Sequence, residues 1–156
     1  MDTDIRIQSV GMPQRHLVTE MYDRFDPLGG ALGLPPLKAE ARRQWAELAL
    51  RQALNLAAFS PAGEVIGHCF LVTDDSGSAE LALFVHQQFR RRGIGTALLK
   101  AALNWATAVG VRRVWSLTSS DNNPALRLQL NCGFRRRSSS FGETELEIEL
   151  PVSRAA

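Results

Sequence analysis

Residues 85–99 read VHQQFRRRGIGTALL, and the rest of the chain is interpreted around this stretch. The residues before it, 80–85, are mostly apolar and predict a β-strand, whereas from Ile94 onward apolar residues recur at helical spacing. The basic turn between strand and helix contains Gly93 and Gly95. Glycines at the start of a helix let main-chain amides approach an anion, and arginines add donors that suit phosphate oxygens. The stretch therefore predicts a site for a pyrophosphate group.

Two common phosphate-binding motifs do not fit this turn. A Walker loop closes with Gly-Lys-Ser/Thr, but here Gly95 is followed by Thr96. A dinucleotide fingerprint needs a third glycine where Leu98 stands, and an acidic residue about 20 positions later, where Trp115 and Ser116 occur. Both motifs are therefore excluded.

The stretch resembles the acyl-CoA loop of the GNAT N-acyltransferases, whose (Gln/Arg)-x-x-Gly-x-(Gly/Ala) pattern falls on Arg90, Gly93 and Gly95. Residues 122–134 are similar to a second signature of that family, Asn-x-x-Ala-x-x-Leu-Tyr followed by Gly-Phe, with Gln129 in place of the tyrosine. A basic glycine turn before a surface helix also arises for purely structural reasons. Two signatures at this separation favour the family.

The order of predicted elements covers essentially the whole chain. Strands are predicted at 4–10, up to 59, 64–73, 79–85, 111–118, 134–141 and 144–151, and helices at 13–26, 37–51, 94–109 and 123–133. The resemblance implies one GNAT domain over residues 1–156. It implies an α/β fold with a mixed, mostly antiparallel central sheet of about seven strands and about four flanking helices. Strands 4 and 5 are expected to splay apart.

Apolar periodicity also predicts which helix faces are buried. The two lists are Leu17, Val18, Met21, Tyr22 and Phe25 in the first helix, and Leu37, Ala41, Trp45 and Leu48 in the second. Residues 27–36, rich in Gly and Pro, predict an irregular segment that could serve as a lid. In the last strand, Glu145, Glu147 and Glu149 alternate with apolar residues, which predicts one solvent-exposed face.

The resemblance implies a cofactor site for acetyl-CoA. The pantetheine arm lies between the splayed strands, where Phe84 and Val85 supply contacts and a main-chain amide polarises the thioester carbonyl. The remaining implied contacts are Arg90, Arg91, Arg92, Gly93, Ile94, Gly95, Thr96 and Asn122. The family often has glycine at the position of Arg91, and an arginine there should strengthen phosphate binding if the turn accepts a side chain.

Transfer to an amine also requires a base, for which Glu80 is the first candidate. It lies in Ala-Glu-Leu-Ala, and a similar stretch in bacterial protein-lysine acetyltransferases of this superfamily carries the general base. Alternation places Glu80 on one face with Phe84, where apolar surroundings would raise its pKa. The alternative is a hydrated glutamate at the start of a strand. Glu64 and His86 are weaker candidates.

Other polar residues are assigned structural roles. Gln129 can donate a hydrogen bond but cannot supply a proton to a leaving thiolate, so water would do so. Tyr22, the only tyrosine, is expected in the core, and His16 and His68 at the surface or in the sheet. The two cysteines, Cys69 and Cys132, are expected to be buried thiols.

Composition limits the partners. The net charge of +2 argues against nucleic acid, and the second arginine triplet, 135–137, is expected on a solvated strand or loop face. The sequence carries neither a metal-ligand pattern nor an apolar run of membrane-spanning length, and the chain is expected in the cytoplasm.

The leading hypothesis is an acetyl-CoA-dependent N-acetyltransferase acting on a small amine or a protein lysine. The sequence allows either a monomer or a homodimer. The alternative is an inactive acyl-CoA-binding sensor or interaction domain.

Overall fold

A computed structural model describes residues 4–29 and 33–152 of the chain. Residues 30–32 of the predicted lid lie outside the described residues. The strands are β1 (Arg6–Ser9), β2 (Leu54–Phe59), β3 (Val65–Thr73), β4 (Ser78–Val85), β5 (Arg113–Ser119), β6 (Arg135–Ser140) and β7 (Glu143–Glu149). The helices are α1 (Arg15–Asp23), α2 (Ala39–Gln52), α3 (Ile94–Ala108) and α4 (Asn123–Asn131), and 3-10 turns cover Met12–Gln14 and Gln87–Phe89.

The seven strands form one sheet in the order β1-β2-β3-β4-β5-β7-β6. Only the β4–β5 pair is parallel among these strands, and all other neighbours are antiparallel. This pairing confirms the mixed, mostly antiparallel α/β fold expected from the sequence.

Helices cover both faces of the sheet because each face carries apolar side chains that are removed from water on packing. On one face, α1 and α2 pack over a core that includes Val18, Tyr22, Ala46 and Phe59. On the other face, a larger core holds side chains of α3, α4 and the sheet: Leu98, Leu99, Leu126, Leu71, Leu81 and Val114. Helix α3 lies so close to β3 that a Cβ added at Gly67 would be 2.8 Å from Cδ1 of Leu98.

The predicted end of α1 at Asp26 is wrong by three residues. The amide of Phe25 donates to the carbonyl oxygen of Tyr22, so the chain tightens after Asp23 and leaves the helix. A proline follows Asp26, and the residue before a proline disfavours helical geometry. The buried face of α1 is otherwise as predicted, except that Leu17 is partly exposed.

The predicted buried face of the second helix is wrong at three of its four residues, whereas Trp45 packs against the core as predicted. Leu37 is 70% exposed and Leu48 is 51% exposed. The residues that point inward are Arg42, Ala46, Ala49 and Leu50. The guanidinium of Arg42 is buried because it donates to Oδ1 of Asp23 at 2.9 Å and to the carbonyl oxygen of Leu37 at 2.9 Å. A charged residue therefore occupies a position that a hydrophobic pattern cannot identify.

The predicted N-cap of α4, Asn123, is wrong by one residue. Oδ1 of Asn122 accepts a hydrogen bond from the amide of Ala125 at 3.3 Å, and Pro124 occupies the second helical position, where its missing N–H costs nothing. The predicted ends of α3 and α4 at glycine are confirmed, since Gly110 and Gly133 have φ angles of +91° and +102°.

Strand β6 presents the second arginine triplet on an exposed face, as predicted, but Glu147 of β7 is not solvent-exposed. It is only 5% exposed because Arg113, Arg135 and Arg137 donate to its carboxylate at 2.6, 2.9 and 3.1 Å. The hydrogen bonds from Arg113 and Arg135 lower the pKa of Glu147 to about 2. The alternating glutamates are therefore part of an ion-pair network rather than a freely hydrated row.

Candidate functional site

Strands β4 and β5 separate at the centre of the sheet. Their register is limited to three pairs, Ser78–Glu80 with Arg113–Trp115, although β4 continues to Val85 and β5 to Ser119. Over that length β4 remains paired with β3, and β5 with β7. The predicted splay is confirmed, and it leaves an edge of β4 that faces a cleft instead of a neighbouring strand.

The loop after β4 turns sharply before α3. Gly93 has a φ angle of +79°, and Arg91 has one of +64°. Left-handed geometry is natural for glycine and unfavourable for arginine, which explains the glycine at 93 and makes Arg91 a strained position. The first helical amides, those of Ile94, Gly95 and Thr96, have no acceptor within α3. They lie at the positive end of a 15-residue helix dipole.

Gly95 connects the two sequence signatures. A Cβ at this position would lie 2.9 Å from Cδ1 of Leu128 and 3.6 Å from Cγ2 of Val85. The start of α3 is therefore packed between β4 and α4, and a side chain at 95 would push them apart. The glycine at this position is explained by packing as well as by any approach of a ligand.

The three arginines of the loop have different surroundings. Arg90 donates through Nε to the carbonyl oxygen of Val85 at 3.0 Å and through Nη2 to that of Asp26 at 2.7 Å. Arg92 lies over the ring of Phe89, with Cζ 5.2 Å from the ring centroid. All three arginines are exposed residues, although the guanidinium of Arg90 is held by these two carbonyl oxygens.

Glu80 lies where β4 and β5 are still paired, with Val72 and Trp115 as its partners across the two strands. Although Glu80 is exposed, partial desolvation raises the pKa of its carboxyl. The direction is the one predicted from its apolar surroundings. Val72 is 45% exposed beside it, so the carboxylate is bordered by an accessible apolar side chain.

Phe84 contributes its main chain and its side chain to different parts of the molecule. Its ring packs against the rings of Tyr22, Phe25 and Trp45, with centroids 5.5 to 5.7 Å apart. The side chain thus anchors β4 to the α1–α2 layer, on the same face as Glu80. Only the main chain of Phe84 remains for the cleft.

Gln129 and Asn122 are occupied by contacts within the fold. Gln129 is 4% exposed, and its Nε2 donates to Oγ1 of Thr118 at 3.0 Å and to the carbonyl oxygen of Ala125 at 3.1 Å. Its Oε1 accepts a hydrogen bond from Ser116. Asn122 caps α4. Gln129 therefore fixes α4 against β5 rather than pointing freely into the cleft.

His86 and Glu64, the two weaker candidates for the base, make contacts within the fold. Nδ1 of His86 accepts from the amide of Gln88, so its Nε2 donates to the carbonyl oxygen of Arg24 at 2.9 Å. Glu64 forms an exposed ion pair with Arg24 at 3.1 Å. His68 is fully buried in the sheet, and His16 is exposed. Tyr22 and Cys69 are buried as predicted, whereas Cys132 is only partly buried.

Sequence analysis missed two polar groups. Tyr22, His68 and Asn55 form a buried hydrogen-bonded chain, and the amide side chain of Gln87 contacts the end of α1. Neither has a local signal, because the partners are between 13 and 63 residues apart.

Within residues 4–29 and 33–152, no group of His, Cys, Asp or Glu could hold a metal ion. No helix in these ranges is long and apolar enough to cross a membrane.

Comparison with known proteins finds one matching family and several similar structures. The model of a family described as "Acetyltransferase (GNAT) family" matches residues 18–134. A ribosomal-protein-alanine N-acetyltransferase from Brucella melitensis has a similar structure, with a TM-score of 0.74 and 21% identity over 93% of this chain and 99% of that one. A GNAT superfamily phosphinothricin acetyltransferase from Sinorhizobium meliloti in complex with acetyl-CoA gives 0.75 and 18%, over 95% and 89%. The GNAT domain of S. lividans PAT gives 0.75 and 20%, over 94% and 90%.

Proposed function

Because the chain belongs to the GNAT acetyltransferase family, we propose that it transfers an acetyl group from acetyl-CoA directly to a primary amine in a ternary complex. The observation that carries the proposal is the position of the glycine turn. It lies between the unpaired edge of β4 and the start of α3, so a thioester and a diphosphate can be held by consecutive main-chain segments. No metal takes part in this proposal.

The diphosphate of acetyl-CoA is bound by main-chain amides at residues 90–96, with the exposed side chains of Arg91 and Arg92 adding positive charge. Gly93 and Gly95 allow the close approach. The positive end of the α3 dipole favours an anion at this point. Asn122 contributes by holding the start of α4 beside the same cleft.

The thioester lies along β4, where a main-chain amide at Phe84 or Val85 polarises its carbonyl oxygen. A rigid donor placed where negative charge develops lowers the barrier to attack by the amine. Support comes from the anchoring of the Phe84 ring in the aromatic cluster, because that packing fixes the position of the strand edge.

Glu80 removes a proton from the acceptor ammonium, directly or through one water molecule. The raised pKa of its carboxyl supports this role, since a stronger carboxylate base accepts a proton more readily near neutral pH. The leaving thiolate takes its proton from water, because the Gln129 amide has no acidic proton to give. A thiol with a pKa of about 8.5 is an adequate leaving group without a dedicated acid.

The acceptor is a small amine or a protein amine. Both classes are represented among the similar structures, by the phosphinothricin acetyltransferase and the ribosomal-protein-alanine N-acetyltransferase. The exposed Val72 beside Glu80 favours an acceptor that carries an apolar group near its amine. Cys69 and Cys132 are free thiols, which fits action in the reducing cytoplasm.

A second candidate function is an acyl-CoA sensor without turnover. The observation in its favour is Gln129, which stands where the family has tyrosine. Its side chain is fully used in hydrogen bonds to Ser116, Thr118 and Ala125. Such a protein would keep the cofactor loop and lose the chemistry.

An assay of thiol release from acetyl-CoA separates the two functions. The amines to test are phosphinothricin, spermine, a lysine-containing peptide and a peptide with an N-terminal alanine. We expect amine-dependent release of coenzyme A with at least one of them. Binding of acetyl-CoA without release across the panel would favour the sensor, and absence of binding would contradict both functions.

A further inference from the structure

Side chains of the loop after β4 hold the C-terminal end of α1. Nε2 of Gln87 donates to the carbonyl oxygen of Arg24 at 2.7 Å, and Oε1 of Gln87 accepts from the amide of Asp26 at 3.0 Å. Nε2 of His86 donates to the same carbonyl oxygen of Arg24 at 2.9 Å. Residues of the loop are therefore bonded to main-chain groups about 60 positions earlier in the sequence.

Arg90 completes this bridge. Its Nη2 donates to the carbonyl oxygen of Asp26 at 2.7 Å, its Nε to that of Val85 at 3.0 Å, and its guanidinium lies over the ring of Phe25 at 5.4 Å. One side chain thus joins the end of β4 to the end of α1. The family pattern accepts glutamine at this position, but a glutamine side chain is shorter and lacks the guanidinium fork that reaches both carbonyl oxygens.

We propose that Arg90 and Gln87 are positioning residues that couple the cofactor loop to the end of α1, and that the Arg90 side chain is not a ligand of the diphosphate. This inference rests on the proposed function. The proposed role of the loop main chain in binding the diphosphate is unchanged. The Arg90 guanidinium instead links the loop to the main chain of Asp26, so that ordering of the loop also restrains Asp26. The segment 27–36 follows directly.

The direction of the effect follows from linkage. The bridge is made in the loop conformation described here, and binding of coenzyme A to the loop amides is expected to favour that conformation. If binding of coenzyme A stabilises the bridge, the intact bridge must in turn strengthen the binding of coenzyme A by the same factor. The amide of Asp26 reports this directly, because its acceptor is the Gln87 side chain and not a helical carbonyl.

Hydrogen exchange at the Asp26 amide, with coenzyme A itself as the probe, tests the proposal without knowledge of the acceptor. In the wild-type protein, saturating coenzyme A should slow this exchange by roughly tenfold. In Arg90→Gln most of this slowing should be lost, and coenzyme A affinity should fall by no more than the same factor of about ten, because the coupling is reciprocal. Gln87→Ala removes the acceptor of the amide, and should give fast exchange with and without coenzyme A.

Arg91→Gln is the matched control, since it removes one guanidinium from the same loop without touching the bridge. It should weaken coenzyme A binding, yet show the wild-type slowing once the site is saturated. The proposal is overturned if Arg90→Gln weakens binding as much as Arg91→Gln and keeps the slowing, because Arg90 would then be a phosphate ligand. Unchanged Asp26 exchange in wild-type protein that binds coenzyme A also overturns it. A wild-type protein that does not bind coenzyme A contradicts the proposed function instead.

Discussion

The hydroxyl of Tyr22 lies 2.6 Å from Nδ1 of His68, in the core between α1 and the sheet. Nε2 of His68 is 2.8 Å from Oδ1 of Asn55, whose Nδ2 donates to two carbonyl oxygens, those of Ala49 and Ala53. Oδ1 of Asn55 must therefore accept, so His68 carries its proton on Nε2 and accepts from Tyr22. The chain of hydrogen bonds has one direction and contains a neutral histidine.

This arrangement predicts loss of stability in mild acid. Burial lowers the pKa of His68 to about 3, so below pH 6.5 the unfolded state binds a proton that the folded state does not. The free energy of unfolding should fall as the pH drops from 6.5 towards 3, by about 1.4 kcal/mol per pH unit from this group. Urea unfolding between pH 7 and pH 5 measures how the free energy of unfolding changes with pH. Protonation of Glu147, whose pKa is lowered, affects stability only at lower pH.

His68→Gln provides the comparison, because glutamine does not titrate. Its stability at pH 7 should be lower than that of the wild type, but its slope between pH 7 and pH 5 should be shallower by close to one proton. Equal slopes would mean that His68 titrates alike in the folded and unfolded states.

A side chain at Gly93 should prevent cofactor binding. Gly93→Val places a branched side chain at a φ angle of +79° where main-chain amides must approach a diphosphate, and we expect coenzyme A affinity to fall by at least about tenfold. Gly110→Val is the control, since φ there is +91° and a Cβ meets nothing within 4 Å. Both variants should lose stability, and calorimetry should show wild-type affinity for coenzyme A only in Gly110→Val.

Arg91 combines strain and charge, which can be separated by substitution. Arg91→Gly should raise the free energy of unfolding by about 1 kcal/mol, because φ is +64°, and should weaken coenzyme A binding. Arg91→Asn also suits left-handed geometry and removes the charge. The two variants should bind alike in titrations. Wild-type affinity in both would show that the Arg91 side chain does not contact phosphate.

The hairpin between β6 and β7 can be stabilised at its tip. Phe141 and Gly142 form a two-residue turn with φ angles of +51° and +79°, and the Phe141 side chain is fully exposed. This turn favours Asn-Gly, so Phe141→Asn should raise the free energy of unfolding by about 1 kcal/mol. Phe141→Ser removes the same ring without the preference for left-handed geometry. A denaturant titration in which both variants gain equally would assign the effect to the ring instead.

Replacement of the proposed base should separate chemistry from binding. Glu80→Gln keeps the shape of the side chain, and we expect kcat to fall by about 10²-fold or more with coenzyme A affinity nearly unchanged. Glu64→Gln, which breaks only the exposed ion pair with Arg24, should retain turnover. Steady-state rates with an amine identified by thiol release give the answer. Normal turnover in Glu80→Gln would move the base to another group.

The fold could be predicted because its signals are local. Glycine turns, strand alternation and the loop from 90 to 95 each specify geometry within a few residues, and the order of elements followed from them. The α2 face could not be predicted, because Arg42 is buried through partners at Asp23 and Leu37 that only the tertiary structure supplies. Glu147 was placed in solvent for the same reason, since its three arginines come from two other strands.

The candidate site shows the same division. Glycine at 93 was identified from the sequence because the close approach of an anion to the main chain favours glycine, whereas the splay of β4 and β5 was expected only from the resemblance to the family. The side-chain partners of Arg90 and Gln129 were not predicted. A motif describes which residue types recur in a family. The contacts of Arg90 and Gln129 depend instead on the positions of α1 and β5 in the tertiary structure.

The central claim is that the main chain at the start of α3 binds the diphosphate of coenzyme A. Calorimetric titration of the wild-type protein with coenzyme A, and in parallel with pantetheine, which has the thiol arm and no phosphate, tests it most directly. We predict saturable binding of coenzyme A and affinity for pantetheine at least about a hundredfold weaker, or about 2.7 kcal/mol. Equal binding of the two compounds, or no heat with either, would contradict the claim.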